Sequence, residues 1–524
     1  MTPTDAVMPV TQSAIMQSAW RAGWRSKVLS VLAGVLLPFA FSPVGFFPLA
    51  FIVPAVLFWL WLDSTPRHAF VTGYLFGLGF FGVGVSWVAV SFYQFGGMGM
   101  ALSSAATILF VLFLALFPAF TGWLSRRYLG QLNHGYCLLL FLPAAWVLVE
   151  WVRGWIFTGF PWLHLGNSQT DSPLAGLAPV VGVYGISWAL TFSAGVLVWV
   201  LVESKRNRIP GLVSIAVLWA AAGILTLIEW SDNDGEPLTA SLIQGNVPQN
   251  LKWRLEQRRP TIDLYTRLSR DRWDRDIVIW PETALPAYYH QAESFLQGLA
   301  REAKSKGGAT LLIGLPTLKK SESNLGDDQY FNSVVRVGTG DGDETQFYNK
   351  SHLVPFGEYI PLKYLLGDLL DLLQVPMANF SRGDIKQPLV TVAGRSVGIS
   401  ICYEDVFGEE VIRGLPEASL LVNVSNDAWF GDSFAPHQHL QMARMRSMET
   451  ARPMLRATNN GISAVIDHYG NVLSMSPQFE VTVLDGKVQP QTGATPYVLV
   501  GNWPVLFGLF LAVGISGRLT RRPF

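Results

Sequence analysis

The chain has 524 residues, of which 50% are hydrophobic and only 15% charged, and its formal net charge is zero. The apolar excess excludes a single soluble domain, and the balanced charge excludes a nucleic-acid partner drawn by a global positive field. Two cysteines, Cys137 in an apolar run and Cys402 in a mixed one, exclude a disulfide framework and leave Cys402 to be read as a free thiol.

Crossing a hydrocarbon core takes about 20 mostly apolar helical residues. By that ruler, spans fall near 27–43, 46–62, 68–92, 99–124, 134–152, 179–202 and 210–229, with an eighth near 498–516. The first two are short and Pro-rich. Glycines 73, 77, 79, 82 and 84 in the third span read as small residues that let helices approach closely.

Basic residues in short loops are retained on the cytoplasmic side. Arg21, Arg25 and Lys27 precede the first span, Arg67 follows the second, and Arg126 and Arg127 follow the fourth. Lys205, Arg206 and Arg208 follow the sixth, and Arg518, Arg521 and Arg522 follow the eighth. All these clusters fall on one side and the opposite loops are nearly free of Lys and Arg, Arg153 being the exception, so both termini are expected in the cytoplasm and residues 232–495 outside, in the periplasm if the cell is Gram-negative. The first span reads as an uncleaved signal-anchor, because no small-residue cleavage motif follows it. The loop from Gly154 to Pro179, with Phe157, Phe160, Trp162 and His164, reads as an aromatic belt at the membrane interface, with a role in lipid binding as the alternative.

At Ser231 to Pro237 the pattern changes to that of a soluble α/β domain. The expected division is a cytoplasmic segment 1–26, a seven-helix membrane domain 27–230, an outer domain 231–495, and an eighth span with a short tail, 496–524. In the outer domain three strand-like runs end in reactive residues. Asp276–Trp280 leads to Pro281 and Glu282, Thr345–Asn349 to Lys350, and Ser396–Ile401 to Cys402, Tyr403 and Glu404. Ligands of α/β sheets bind beyond the carboxyl ends of strands, so these ends are expected to meet at one edge of one sheet.

A carboxylate, an ammonium and a thiol that meet there suit covalent catalysis. Cys402 is the candidate nucleophile, which attacks as the thiolate, and Glu282 the general base. Lys350 favours the thiolate and stabilises the oxyanion, helped by a backbone N–H such as that of Tyr403. Taken singly each has a plainer reading: a buried filler thiol, a helix-capping acid, a solvated surface lysine. Their coincidence at three strand ends reverses the odds. His437 and His439, two apart at the start of a helix running to Met448, point to different faces, and with no Cys or carboxylate cluster beside them they give no metal site. Gly338, Gly340 and Gly342 read as a hairpin turn, not a phosphate loop.

The segments WPETALP with Glu282, YNKSHLVPFGEYIP with Lys350 and CYEDVFGEE with Cys402 resemble the nitrilase superfamily, whose members carry a Glu-Lys-Cys triad on an αββα sandwich. GNVPQNLKW, the block from Asn423 through NDAWFGDSFAPHQHLQMARMRSMETARP, and LRATNNG are similar to the membrane-embedded apolipoprotein N-acyltransferase family within it. The resemblance implies an α-helical polytopic membrane domain of about eight spans joined to an α/β αββα domain. It also implies transfer of the sn-1 acyl chain of a phospholipid, phosphatidylethanolamine first among candidates, through a Cys402 thioester. The acceptor is the amine of an S-diacylglyceryl-cysteine that begins an apolipoprotein, and the reaction uses no cofactor. Glu358 is implied as a second essential acid, with Trp253, Tyr403 and Glu404 as further required residues.

Ile360–Phe380 is Leu-rich and sparsely charged, and Leu365, Leu366, Leu369 and Leu370 are the expected face of a membrane-dipping lid, set against an ordinary internal helix. Two other functions stand against acyl transfer. A tethered amidase would use the same triad with water as acceptor, and a transporter or scaffold would use no nucleophile at all. The scarcity of intramembrane charge speaks against the transporter.

Overall fold

The computed structural model describes residues 23–519 except 95, 97–98, 130–132, 203–204, 322–327, 341, 356 and 360–379. The expected lid leucines, Arg21, Arg521 and Arg522 therefore lie outside the described residues.

The first part is helical: α1 (Trp24–Leu36), α2 (Leu49–Trp61), α3 (Pro66–Gly84), α4 (Val88–Gln94), α5 (Met100–Leu129), α6 (Leu142–Arg153), α7 (Ala178–Val202) and α8 (Lys205–Leu225). Among the described residues four helical stretches are long and apolar enough to cross a bilayer: Met100–Tyr128, His134–Arg153, Pro173–Val202 and Arg208–Leu225. The pair α3 and α4, bent by 57° at their break, makes a fifth if taken as one span. Helix α2 and the C-terminal helix Trp503–Leu519 are apolar but shorter. The first expected span is interrupted, because α1 stops at Leu36 and Leu37–Ala40 tightens into a 3₁₀ turn with Pro38 at its start. Length and composition thus support four or five crossings where the sequence reading counted eight. The glycines of α3 do serve close approach: a Cβ on Gly73 would lie 2.6 Å from the Pro118 carbonyl oxygen, and one on Gly77 2.6 Å from the Ala115 Cα, both on α5.

Among the described residues the second part is built on two six-stranded sheets and a two-stranded pair of β1 (Asp232–Asn233) with β14 (Gln491–Thr492). The first has the order β13–β2–β3–β4–β5–β6, with β2 (Leu238–Gln244), β3 (Ile277–Trp280), β4 (Thr310–Lys319), β5 (Gln329–Arg336), β6 (Gln346–Asn349) and β13 (Thr482–Val488). The second runs β12–β11–β10–β9–β8–β7, with β7 (Val390–Val392), β8 (Arg395–Ile401), β9 (Leu420–Ser425), β10 (Met454–Thr458), β11 (Ala464–Ile466) and β12 (Val472–Met475). Strands β2, β3 and β4 are mutually parallel, as are β8, β9 and β10. Buried on both faces, they read as near-continuous apolar runs such as Ile277–Trp280. Leu242, Ile279, Leu312 and Val334 of the first sheet pack on Val422, Val424, Leu455 and Val465 of the second.

Helices α9 (Leu255–Arg270) and α10 (Tyr289–Lys306) cover the outer face of the first sheet. The outer face of the second is covered by α11 (Phe434–Thr450), through Leu440 and Ala443. The opposite side of α11 packs into the membrane bundle through Ala435, Met442, Met445 and Met448. One helix is therefore shared by the two parts.

The loop 154–177 differs from the interfacial belt expected for it. Trp162 and His164 are buried, wedged between the bundle and α11, while Trp155 and Phe157 remain exposed. The loop is drawn inward by polar groups at the end of α6: the Arg153 guanidinium donates to the carbonyls of Phe160 and Trp162, and the Glu150 carboxylate accepts from Leu165 N–H. Aromatic content alone did not distinguish a lipid-facing ring from a packed one.

Candidate active site

Glu282, Lys350 and Cys402 each follow the C-terminal end of a strand, β3, β6 and β8 respectively. They do not share one sheet. Glu282 and Lys350 come from the first sheet and Cys402 from the second, so the site lies where the two sheets face each other. A strand-end pattern says which end of a strand carries chemistry but not which sheet the strand joins.

Two of the three sit in strained turns. Cys402 has φ of 52° and Thr283, next to Glu282, has φ of 46°. For non-glycine residues such left-handed backbone costs of order 1–3 kcal/mol each, and the surrounding packing must hold it. Around Cys402 the hold is the side chain of Glu404, which accepts from Ile401 N–H, from the N–H and hydroxyl of Ser351, from His352 N–H and from the Tyr348 hydroxyl. One carboxylate thus ties the turn carrying the thiol to the loop carrying the lysine. At Glu282 the backbone of β4 presses close, and a Cβ on Gly314 would lie 2.8 Å from the Glu282 Cα.

The charges are buried and shared. Lys350 Nζ donates to Glu358 at 2.9 Å and lies 3.7 Å from Glu282 Oε1. Asn332, on β5, bridges the two acids, its Nδ2 donating to Glu282 Oε1 at 2.7 Å and to Glu358 Oε1 at 3.0 Å. Burial works to lower the Lys350 ammonium, but the carboxylates of Glu358 and Glu282 and the nearby Cys402 outweigh it and hold it above its ordinary value. Burial and the Glu282 charge push the Cys402 thiol up, while Lys350 pulls it down. A thiol in that field stays protonated until a base takes its proton, and the Oε2 of Glu282 has no hydrogen-bond partner among the described residues.

Other expected residues fall around this centre. Glu358 is buried and receives Val354 N–H as well as Lys350. Tyr403 is buried, its hydroxyl donating to the Gly159 carbonyl and its ring stacked on Trp162 at 6.3 Å, so the residue after the thiol touches the membrane part. Trp253 lies at the surface, 38% exposed. His439 points into an ionic cluster and His437 toward Gln478.

The sequence reading missed Asn332, Lys252 and that cluster. Lys252 is 1% exposed and donates to the Glu282 carbonyl oxygen at 3.1 Å. Behind Cys402, Arg456 donates to Asp405 at 2.9 Å, to Asn423 at 2.6 Å and to Asp427 at 3.2 Å, and His439 lies 2.7 Å from Asp405. Asn423 in turn donates to the Cys402 carbonyl at 3.3 Å. The available signal was a polar residue interrupting an apolar strand, as Asn332 does between Phe331 and Val334, and Arg456 between Leu455 and Ala457.

Residues 33–196 match the family model described as the apolipoprotein N-acyltransferase N-terminal domain, and residues 239–497 the model described as carbon-nitrogen hydrolase. The chain is 47% identical over 499 residues to an apolipoprotein N-acyltransferase of Methylococcus capsulatus, spanning 95% of this chain and 97% of that protein. It is 44% identical over 505 residues to that of Nitrosomonas europaea, spanning 95% and 99%. The Vibrio cholerae protein of the same description is 41% identical over 500 residues, spanning 94% and 97%.

Proposed function

The chain belongs to the apolipoprotein N-acyltransferase family, and from that premise we propose that it acylates lipoproteins through a thioester on Cys402, with Glu282 as base and Lys350 as the cation that stabilises the oxyanion. The observation that carries this reading is the meeting of a carboxylate oxygen without a partner among the described residues, a doubly paired ammonium and a thiol on a strained turn, all buried at facing strand ends.

In the first half-reaction the Cys402 S–H proton passes to Glu282 and the sulfur attacks the sn-1 ester carbonyl of a phospholipid, phosphatidylethanolamine being the proposed donor. The tetrahedral oxyanion collapses as the C–O bond breaks, Glu282 returns the proton to the leaving alkoxide, and a lysophospholipid departs. In the second, the neutral α-amine of an S-diacylglyceryl-cysteine attacks the thioester and Glu282 takes its N–H proton. The C–S bond then breaks, and that proton goes back to the sulfur. An oxyanion donor of this kind is worth about 100- to 1,000-fold in rate, which is the loss expected when Lys350 is removed. Glu358 pairs Lys350, Glu404 and Tyr403 hold the nucleophile turn against the membrane part, and Trp253 is the exposed residue next to Lys252, whose ammonium reaches the Glu282 carbonyl.

The proposed setting is the bacterial inner membrane, with the segment 1–26 in the cytoplasm and residues 27–230 as a domain of seven crossings, in which the interrupted α1, the shorter α2 and the bent pair α3–α4 are counted beside the four long helices. Residues 231–495 are the periplasmic catalytic domain, and 496–524 are an eighth crossing with a short cytoplasmic tail. The same-side basic clusters support this orientation. Both substrates are lipid-anchored, so a site backed onto a membrane bundle meets them in two dimensions.

Mass spectrometry of the purified enzyme tests the reaction. An acyl adduct on Cys402 that persists in buffer and disappears on addition of a diacylated lipopeptide is the expected result. Loss of the adduct to water alone at the same rate would make the protein an amidase instead.

A further inference from the structure

Lys252 is a buried lysine for which the reaction above has no task. It closes a turn in which its own N–H and that of Leu251 both bond the Pro248 carbonyl. That turn is pinned to the strand ends of the second sheet: Val247 N–H donates to the Asn459 side chain, and Asn426 donates to Gln249. From there the Lys252 ammonium reaches the Glu282 carbonyl oxygen at 3.1 Å, in the strained turn before Thr283.

The charge count makes that contact informative. Glu282 and Glu358 are two buried carboxylates, and Lys350 is one ammonium lying between them. Those three groups sum to −1, in a place where an uncompensated buried charge is costly and where a thiolate and then an oxyanion must also form. Adding Lys252 brings the sum of these four groups to zero; Glu404, the other buried carboxylate near Lys350, has its oxygens taken up by Ile401, Ser351, His352 and Tyr348.

We propose that Lys252 is a positioning residue of the acyl transfer: its ammonium holds the Glu282 turn in place and supplies the second positive charge that keeps Glu282 ionised and able to take the thiol proton. The inference rests on Glu282 being the base. Burial lowers the Lys252 ammonium to about 8, with Glu282 as the charge opposing that fall; Lys350 and Glu358 stand beyond Glu282. The charge is thus present at neutral pH and lost as pH rises past about 8.

The test is single-turnover formation of the Cys402 thioester from phosphatidylethanolamine vesicles, without acceptor amine, across pH in the full-length enzyme. Three variants separate the two roles. Lys252→Met removes the hydrogen bond and the charge, Lys252→Gln keeps an N–H donor, and Lys252→Arg keeps the charge. Removing a neighbouring cation raises a carboxyl, so the acid limb of the profile moves upward in Met and Gln; a shift of about one unit is a tenfold loss on that limb. Arg, which keeps the charge, restores the acid limb. A wild-type acid limb in Met or Gln, whichever retains the native unfolding temperature, overturns the proposal. So does a loss equal at every pH that Arg does not recover. Glu282→Gln serves as the separate control: if it still forms thioester at the wild-type rate, Glu282 is not the base, and the failure lies with that reading rather than with Lys252.

Discussion

Each sheet of the catalytic part has an outer helical layer, and the two layers obey different rules. On the first sheet, α9 and α10 bury one stripe each, with Ala292, Leu296, Leu299, Ala300 and Ala303 of α10 recurring at helical spacing beneath a charged outer face. On the second, α11 has 14 of its 17 residues buried although it carries glutamines, histidine, arginine and glutamate. A helix buried on all sides with polar residues needs polar partners in every direction. It finds them where the membrane helices break. Gln438 accepts from the indoles of Trp87 and Trp162 and donates to the Gly84 carbonyl at the end of α3. Gln441 accepts from Ser42 N–H beyond the first 3₁₀ turn, and Glu449 accepts from Val183 N–H, just after Gly182 interrupts α7 with φ of 60°. Irregular backbone among membrane helices persists only where something satisfies it, and here the catalytic part does so.

The sharpest way to break this contrast is to remove the charge on β10 that faces His439 of α11. Arg456→Met leaves Asp405 and Asp427, both buried, with the His439 ring as their neighbour in place of the guanidinium. Breaking a buried ionic group in this way costs about 3–5 kcal/mol. A large fall in unfolding temperature in detergent is expected, and an unchanged one would mean that the cluster is not under the load the geometry assigns it. A smaller effect is expected on the membrane-facing side. Gln438→Leu strands the Trp162 indole N–H, and a buried donor left unmade costs about 1–3 kcal/mol. Because Trp162 stacks on Tyr403, thioester formation in this variant should slow together with the loss of stability. Stability lost with full acylation rate would disconnect α11 from the nucleophile turn.

The same contrast explains what could be read before the structure. The strand ends at Glu282, Lys350 and Cys402 were legible because strand-like runs, apolar before Glu282 and mixed before Lys350, stop abruptly at them. The partnership of their strands was not, since Cys402 belongs to the second sheet and nothing in a local pattern names a neighbour. The helix at 434–450 was legible as a helix, but its shared position was not: its polar side chains look like a solvated face until Ser42, Gly84 and Val183 are seen to need them. Trp162 reads in the sequence as a lipid-facing ring for the converse reason, that an aromatic side chain does not show whether lipid or protein covers it. The interrupted first span follows from Pro38, whose missing N–H favours the start of a new short turn over continuation of α1.

The smallest effect belongs to the outer face of α10, and it fixes the other end of the scale. Lys306 donates to Glu302 at 2.8 Å, one turn earlier, with the lysine side chain 60% exposed. Exposed pairs of this spacing contribute about 0.3–0.5 kcal/mol, so Lys306→Ala should move the unfolding temperature barely at all. What it does move should depend on pH and salt. The hydrogen bond from Lys306 holds the Glu302 carboxyl below its ordinary range. A lowered carboxyl contributes stability that is present above its unfolded value of about 4.3 and lost as pH falls through the lower folded value, so wild type and variant should converge in acid. They should also converge at high salt, which screens an exposed pair but not the cluster under Cys402. A difference between Lys306→Ala and wild type as large as that of Gln438→Leu would mean that the two helical layers bear comparable loads, and the shared helix would lose its distinction.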